Sequence, residues 1–312
     1  MESLHAGILF GHGVSPVGPG DNRQHGKYGS TQLPVSSPGV HSGSQTCWAV
    51  AICSKVNRRR TYRRLHYETL KRMREYDITH HWEAYASEWT SWARTPDHDE
   101  YWSYRDQFRE FVPTPGTATL EVGCGEGRVS RDLSDLGHHV TAVDLSPSLV
   151  AAAQEAGSAG RCCVADAANL PFADNAFDCV IAYNMLMDVP DMPAVINEAA
   201  RVLSPGGHLV ISIVHPFTDR GAFRDSDPAV FETRDDYFTT SSFAVIEQRA
   251  NLKMHFAGWS RPLRDYTQAL EDAGLLITAL REPQPTGPIA SPDLDKWKRL
   301  PLFLWLRAIA HQ

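Results

Sequence analysis

Thr119-Leu120-Glu121-Val122-Gly123-Cys124-Gly125-Glu126-Gly127-Arg128 places three glycines at alternate positions between an apolar run and a stretch of helical character. Without a Cβ, such positions let the backbone turn freely and let a ligand approach it closely. A dinucleotide turn of the G-x-G-x-x-G kind does not fit. Counting from Gly123 puts Arg128 at the third glycine position, and counting from Gly125 puts Ser130 there. Glu121 and Glu126 also bring negative charge to a turn that a pyrophosphate needs positive or neutral. The segment therefore reads as a cradle for a ligand that carries positive charge.

Around this turn, short runs rich in Val, Ile, Leu and Cys predict strands at 117–122, 140–143, 161–165, 177–183 and 208–214. Helices separate them. One opens with Ser146 as N-cap and Pro147 in its first turn. Another, 191–203, carries Met192, Val195, Ile196, Ala199 and Val202 on one face and is ended by Pro205-Gly206-Gly207. A helix with one apolar face, 101–112, precedes the first strand, and a helix at 262–273 is followed by strands at 276–280 and 302–306. Strand and helix in alternation imply parallel strands with helices on both faces, and ligands collect at the carboxyl ends of such strands. The expected fold is α/β, a doubly wound, mostly parallel seven-stranded sheet. An insertion after the fifth strand, 215–261, breaks the alternation, and 242–259 within it predicts a strand pair.

The segment Glu121 to Gly127 resembles the E/D-x-G-x-G-x-G first motif of class I S-adenosylmethionine-dependent methyltransferases, especially the broad small-molecule group called type 11, and 76–306 is similar to that family's order of elements. The resemblance implies the Rossmann-like methyltransferase fold and S-adenosylmethionine as cofactor, a ligand with a sulfonium, an ammonium and no phosphate. It implies cofactor contacts at Glu121, Gly123, Cys124, Gly125 and Gly127. It further implies Asp144 and Leu145 at the ribose hydroxyls, Asp166 and Ala167 at the adenine, and Asn184 and Met185 beside the sulfonium.

For the methyl acceptor the sequence gives classes rather than a name. Phe217, Phe223, Phe231, Tyr237, Phe238, Phe243, Phe256 and Trp259 make the 215–261 insertion an aromatic cap, which points to a small, partly apolar or aromatic molecule, methylated at oxygen. His215 ends the fifth strand and is the candidate general base, with His80, His81 and His255 as competitors. Tyr183-Asn184-Met185-Leu186 is not the Asn/Asp-Pro-Pro-aromatic run of enzymes that methylate amino groups of nucleic acids, and no Pro-Cys nucleophile stands there. No carboxylate cluster suggests a metal site. Tyr76, Trp82 and Tyr85 lie on a predicted helix that in related enzymes folds over the cofactor as a lid.

The 312 residues carry a net charge of -7 with a marked asymmetry: residues 1–74 hold 11 Lys or Arg against 3 Asp or Glu, and the rest 19 against 34. The expectation is a disordered, basic arm at 1–72 and a methyltransferase domain at 73–312. The expected partner is a small molecule and not nucleic acid; the alternatives are a methyltransferase that acts on RNA or protein, tethered by that arm, and a non-catalytic cofactor-binding protein. No apolar run reaches the roughly 18 residues of a membrane span. The positive charges follow rather than precede the apolar run 47–53, contrary to a secretory signal, so the expected location is the cytoplasm. The six cysteines show no paired CxxC spacing, and Cys163 and Cys179 are expected as small buried residues on strands. The oligomeric state, a homodimer included, stays open.

Overall fold

Burial at period two builds the sheet. In β4 (Phe177–Tyr183), Val180 and Ala182 enter one core cluster while Cys179, Ile181 and Tyr183 enter the other. The strand β11 (Phe303–Ala310) divides the same way, Leu304, Leu306 and Ala308 against Phe303 and Trp305. A sheet apolar on both faces must be covered on both. The computed structural model describes residues 80–224, 230–233, 236–286 and 292–310; the expected arm at 1–72 and Tyr76 lie outside the described residues.

The remaining strands of this sheet are β1 (Thr119–Val122), β2 (Val140–Asp144), β3 (Arg161–Val164), β5 (Leu203–Val214) and β10 (Leu275–Arg281). Their order is β10-β11-β5-β4-β1-β2-β3, and β11 alone runs against the others. This is the expected seven-stranded, mostly parallel sheet.

The helices follow from their caps and faces. In α1 (His81–Ala84), α2 (Ala86–Arg94) and α3 (Tyr101–Phe111) the chain approaches the sheet; α3 buries Tyr101, Tyr104, Phe108 and Phe111 against it. The helix α4 (Arg128–Asp135) follows the glycine turn. Ser146 accepts the Leu149 N–H at 3.2 Å and starts α5 (Pro147–Glu155), and Asp191 accepts the Ala194 N–H at 3.1 Å and starts α6 (Met192–Val202). On the other face α6 packs with α7 (Leu263–Asp272).

Three details differ from expectation. Pro205-Gly206-Gly207 does not end a helix but lies inside β5, where the register against β4 shifts between Phe177 and Cys179 and Gly206 turns with φ +76°. Burial of Leu203 against the core starts the strand early. The last strand runs on to Ala310 because it is paired on both sides, with β5 and β10. Cys163 is only half-buried, since β3 is a sheet edge on which the next residue, Val164, is 52% exposed. Among the described residues the four cysteines Cys124, Cys162, Cys163 and Cys179 are free.

The insertion after β5 forms two antiparallel pairs, β6 (Gly221–Phe223) with β7 (Phe231–Thr233) and β8 (Ser241–Arg249) with β9 (Leu252–Ser260). The second is the predicted strand pair. Among the described residues no helix is long and apolar enough to cross a membrane.

Candidate active site

The glycine turn takes the shape its spacing predicted. Gly123, Gly125 and Gly127 all adopt positive φ, +66°, +55° and +88°. A Cβ on Gly123 would lie 2.7 Å from the Met185 Cβ, and one on Gly125 would lie 2.7 Å from the Trp89 Nε1. The turn is held from below by the Cys124 N–H donating to the Val143 carbonyl at 3.0 Å, and from the side by Asp144. The Asp144 carboxylate accepts the Gly125 N–H at 2.8 Å and the Ser146 N–H at 2.9 Å, so one residue at the end of β2 joins the turn to the N-terminus of α5. Burial pushes its carboxyl up, against the opposing pull of those backbone donors.

Above the turn opens a cavity of about 1220 Å³. That exceeds the roughly 300–1,000 Å³ usual for a single ligand site and leaves room for two molecules side by side. Ten of the eleven expected cofactor residues line it: Glu121, Gly123, Cys124, Gly125, Asp144, Leu145, Asp166, Ala167, Asn184 and Met185. Four different strand ends contribute them, which the parallel sheet brings together at one edge. Asn184 is held at φ +50°, a conformation asparagine tolerates, with its side-chain oxygen accepting the Ser212 hydroxyl at 2.8 Å. Asp166 keeps one carboxylate oxygen on the Ala168 N–H at 2.9 Å.

The structure does not bring Gly127 or His215 to the cavity wall. Gly127 serves packing: a Cβ there would lie 2.4 Å from Ser158 and 3.0 Å from the Ala153 Cβ. His215 has both ring nitrogens engaged elsewhere, Nε2 with Glu282 at 3.0 Å and Nδ1 accepting the Phe217 N–H at 3.2 Å. The position of His215 at a strand end was legible, but its direction was not. The histidine competitors fare no better: the His81 Nε2 meets the His255 carbonyl at 2.9 Å, and the His255 Nδ1 meets Glu88 at 2.7 Å. His80, His81 and His255 are all absent from the cavity wall.

The charge of the turn is also redistributed. Glu126 is fully enclosed and neutralised by Arg131 at 2.7 Å and by Arg94 of α2 at 2.8 Å. Period-two burial sends Glu121 beneath α4, where Ser130 donates to it and desolvation pushes its carboxyl up to about 8. The wall of the cavity is nonetheless acidic. Among the described residues lining it, eleven are Asp or Glu and three are Lys or Arg. Two of those three are already paired, Arg128 with Asp99 at 2.7 Å and Arg249 with Glu100 at 2.5 Å. Such a wall repels a pyrophosphate and favours a cation.

The neutral Glu121 has a consequence for stability. An unfolded glutamate releases its proton near its ordinary 4.5, whereas the folded one holds it to about 8. In that window the native chain binds more protons, so stability of the ligand-free protein should fall as pH rises from 4.5 through 8. Thermal melts across this range should show a smaller fall for Glu121→Gln; identical slopes would remove the neutral carboxyl.

The helices α1 and α2 reach the cavity wall. Trp82, Trp89 and Trp92 line the cavity, whereas Tyr85 stacks on His255 at 4.2 Å outside it. Glu83 accepts the Ser148 hydroxyl at 2.6 Å and the Ser146 hydroxyl, tying α1 to the start of α5. Phe223, Phe243 and Phe256 of the insertion also line the cavity, Phe256 edge-on to Trp89 and Trp92 at 6.3 and 5.8 Å, and Lys296 and Trp297 join from the β10–β11 connection. Tyr237 instead accepts the Leu263 N–H at 3.1 Å, and Phe238 is 62% exposed. Trp297, Asp188 and Asp219 were not singled out from sequence, for they sit in no motif and no periodic pattern.

Comparison with known proteins places these features in context. Residues 120–211 match a family model described as a methyltransferase domain. A ubiquinone biosynthesis O-methyltransferase of Xylella fastidiosa (strain 9a5c) is 36% identical over 115 residues, 35% of this chain and 47% of that protein. The methyltransferase GfsG of Streptomyces halstedii is 31% identical over 191 residues, 58% of this chain and 62% of that protein. The chain thus spans less than two thirds of the length of either relative. An S-adenosylmethionine-dependent methyltransferase structure from Mesorhizobium loti superposes with a TM-score of 0.55 at 24% identity, over 66% of this chain and 97% of that one, which shows the shared fold.

Proposed function

We propose that the chain carries a class I S-adenosylmethionine-dependent methyltransferase domain and methylates a small, partly apolar or aromatic molecule at oxygen. The observation that carries the reading is the glycine cradle opening onto an acidic cavity with room for a second ligand. Glu121, Gly123, Cys124, Gly125, Asp144, Leu145, Asp166, Ala167, Asn184 and Met185 are the residues we assign to the cofactor, and Gly127 supports them from outside the wall. The fit is chemical. The cradle leaves space for a backbone-bound carboxylate, Asp144 offers charged acceptors to hydroxyls, and the acidic wall suits a sulfonium.

When bound, the cofactor supplies an electrophilic methyl group; the chain supplies position. Alignment of two reactants can contribute roughly 7–11 kcal/mol toward lowering a barrier. The tryptophans of α1 and α2 cover the cofactor side and exclude water, and Phe223, Phe243 and Trp297 form the opposite wall, where an aromatic or apolar acceptor buries its surface. The name of the Xylella fastidiosa relative supports oxygen as the atom methylated.

Calorimetry tests the assignment. S-adenosylmethionine and S-adenosylhomocysteine should bind and NAD should not. Tight binding of NAD without a response to S-adenosylhomocysteine would overturn the reading.

A further inference from the structure

The loop that leaves β5 carries two titratable groups four residues apart, and the fold sends them to different places. His215 meets Glu282 at 3.0 Å, away from the cavity. The Asp219 N–H donates to the His215 carbonyl at 2.9 Å, a turn that carries the Asp219 carboxyl round to the cavity wall. There it joins Asp188, from the loop after β4, four residues beyond Asn184. Both carboxyls line the same cavity, and the charge of Asp219 pushes the Asp188 carboxyl up.

Neither carboxyl is neutralised by the arginine nearest to it. The Arg261 guanidinium donates to the carbonyls of Leu186, Val189 and Pro190 at 3.0, 2.6 and 3.2 Å. It straps the Asp188 loop from behind without bonding its carboxyl. Arg220 donates to the Ser241 hydroxyl and to the carbonyls of Thr239 and Ser260 at 2.9, 2.5 and 2.8 Å. The Asp188 carboxyl forms no hydrogen bond among the described residues, and Asp219 is met only by the Ser260 hydroxyl. Both side chains are half-buried and face the cavity, so their carboxylate oxygens can accept a hydrogen bond from a hydroxyl that enters it. Facing the same space stand Phe223 and Trp297, whose rings meet edge to face at 5.2 Å, and Phe243.

We propose that Asp188 and Asp219 are the acceptor-facing pair of this site, holding the hydroxyl of an aromatic acceptor against the Phe223–Phe243–Trp297 wall and taking its proton during transfer. This rests on the reading of the cavity as a methyltransferase site. The acceptor oxygen gains its bond to the methyl carbon as that carbon's bond to sulfur breaks, with the electron pair left on sulfur. The hydroxyl proton passes to a carboxylate oxygen of Asp188 or Asp219. Charge balances: a carboxylate beside a sulfonium becomes a carboxylic acid beside a thioether. Burial pushes both carboxyls up, which suits a group that is to accept a proton. Asp188 is raised further by Asp219 and Asp144 and lowered by Arg261, and Asp219 is lowered by Ser260 and Arg220.

Two measurements on the full chain test the pair, with phenol, which keeps its hydroxyl proton at neutral pH, as the aromatic hydroxyl probe. Carbon-13 carboxyl NMR, assigned with Asp188→Asn and Asp219→Asn, should show Asp188 titrating above the ordinary aspartate range and moving down in Asp219→Asn. Binding of phenol should weaken roughly tenfold or more in each Asn variant, as expected for loss of a charged acceptor, and stay unchanged in His215→Ala. An Asp188 that titrates in the ordinary range regardless of Asp219 would overturn the proposal. So would a wild type that does not bind the probe, or variants that bind it equally well. Binding of S-adenosylhomocysteine, measured alongside, should be retained in all three variants. Its absence from the wild type would instead strike the methyltransferase reading.

Discussion

Gly127→Ala is expected to destabilise the folded chain by about 2–5 kcal/mol, roughly 1–2 from forcing a side chain into a left-handed conformation and the rest from overpacking. Gly127 sits at φ +88°, and its new methyl would press on the Ser158 Cβ and Oγ and on the Ala153 Cβ, which belong to α5 and the turn after it. None of these can swing aside as the tip of a long side chain would, since two are Cβ atoms fixed by the backbone. Gly206→Ala supplies the comparison. Its φ of +76° is similar, but nothing lies within 4 Å of the added Cβ, so only the strain should register. Denaturant unfolding of both variants separates the contributions. A Gly127→Ala protein no less stable than Gly206→Ala would show that α4 and α5 adjust to the methyl.

Asp144→Ala should weaken S-adenosylhomocysteine binding by about 1.5–4 kcal/mol, roughly 10- to 10³-fold, with the sheet intact. The expectation has two sources. A charged acceptor for hydroxyls is lost, and so is the clasp that fixes the Gly125 and Ser146 N–H groups at 2.8 and 2.9 Å before any ligand arrives. Calorimetry with a parallel melting curve checks it. An unchanged dissociation constant would take Asp144 out of the site, and a collapsed melt would mean that the clasp serves the fold first.

Much of this was legible in the chain because it is written in local patterns. Three alternate glycines after an apolar run require a turn of positive φ wherever the chain goes, and period-two and period-3.6 apolar residues commit segments to strands and helices before any packing is known. The caps at Ser146 and Asp191 are of the same kind, a side chain answering an N–H three residues away. Alternation of strand and helix then fixed a mostly parallel sheet and, with it, the edge at which the site would open.

What the local pattern could not give is direction. His215 and Asp219 are both at the carboxyl edge, and only the turn bonding the Asp219 N–H to the His215 carbonyl decides that the aspartate rather than the histidine meets the cavity. The charge on Glu126 reads as acidic in sequence and is cancelled by Arg94 and Arg131, one of them 32 residues away along the chain. Lys296 and Trp297 reach the cavity wall from a connection more than a hundred residues from the glycine turn. By itself the sequence determined the strands, the helices, their alternation and the shape of the cofactor turn, because backbone sterics and the separation of polar from apolar side chains act over a few residues. Only the tertiary structure decided which ionisable groups are neutralised, which are buried and which face the cavity, because desolvation and Coulomb interaction depend on distance in space and not on distance along the chain.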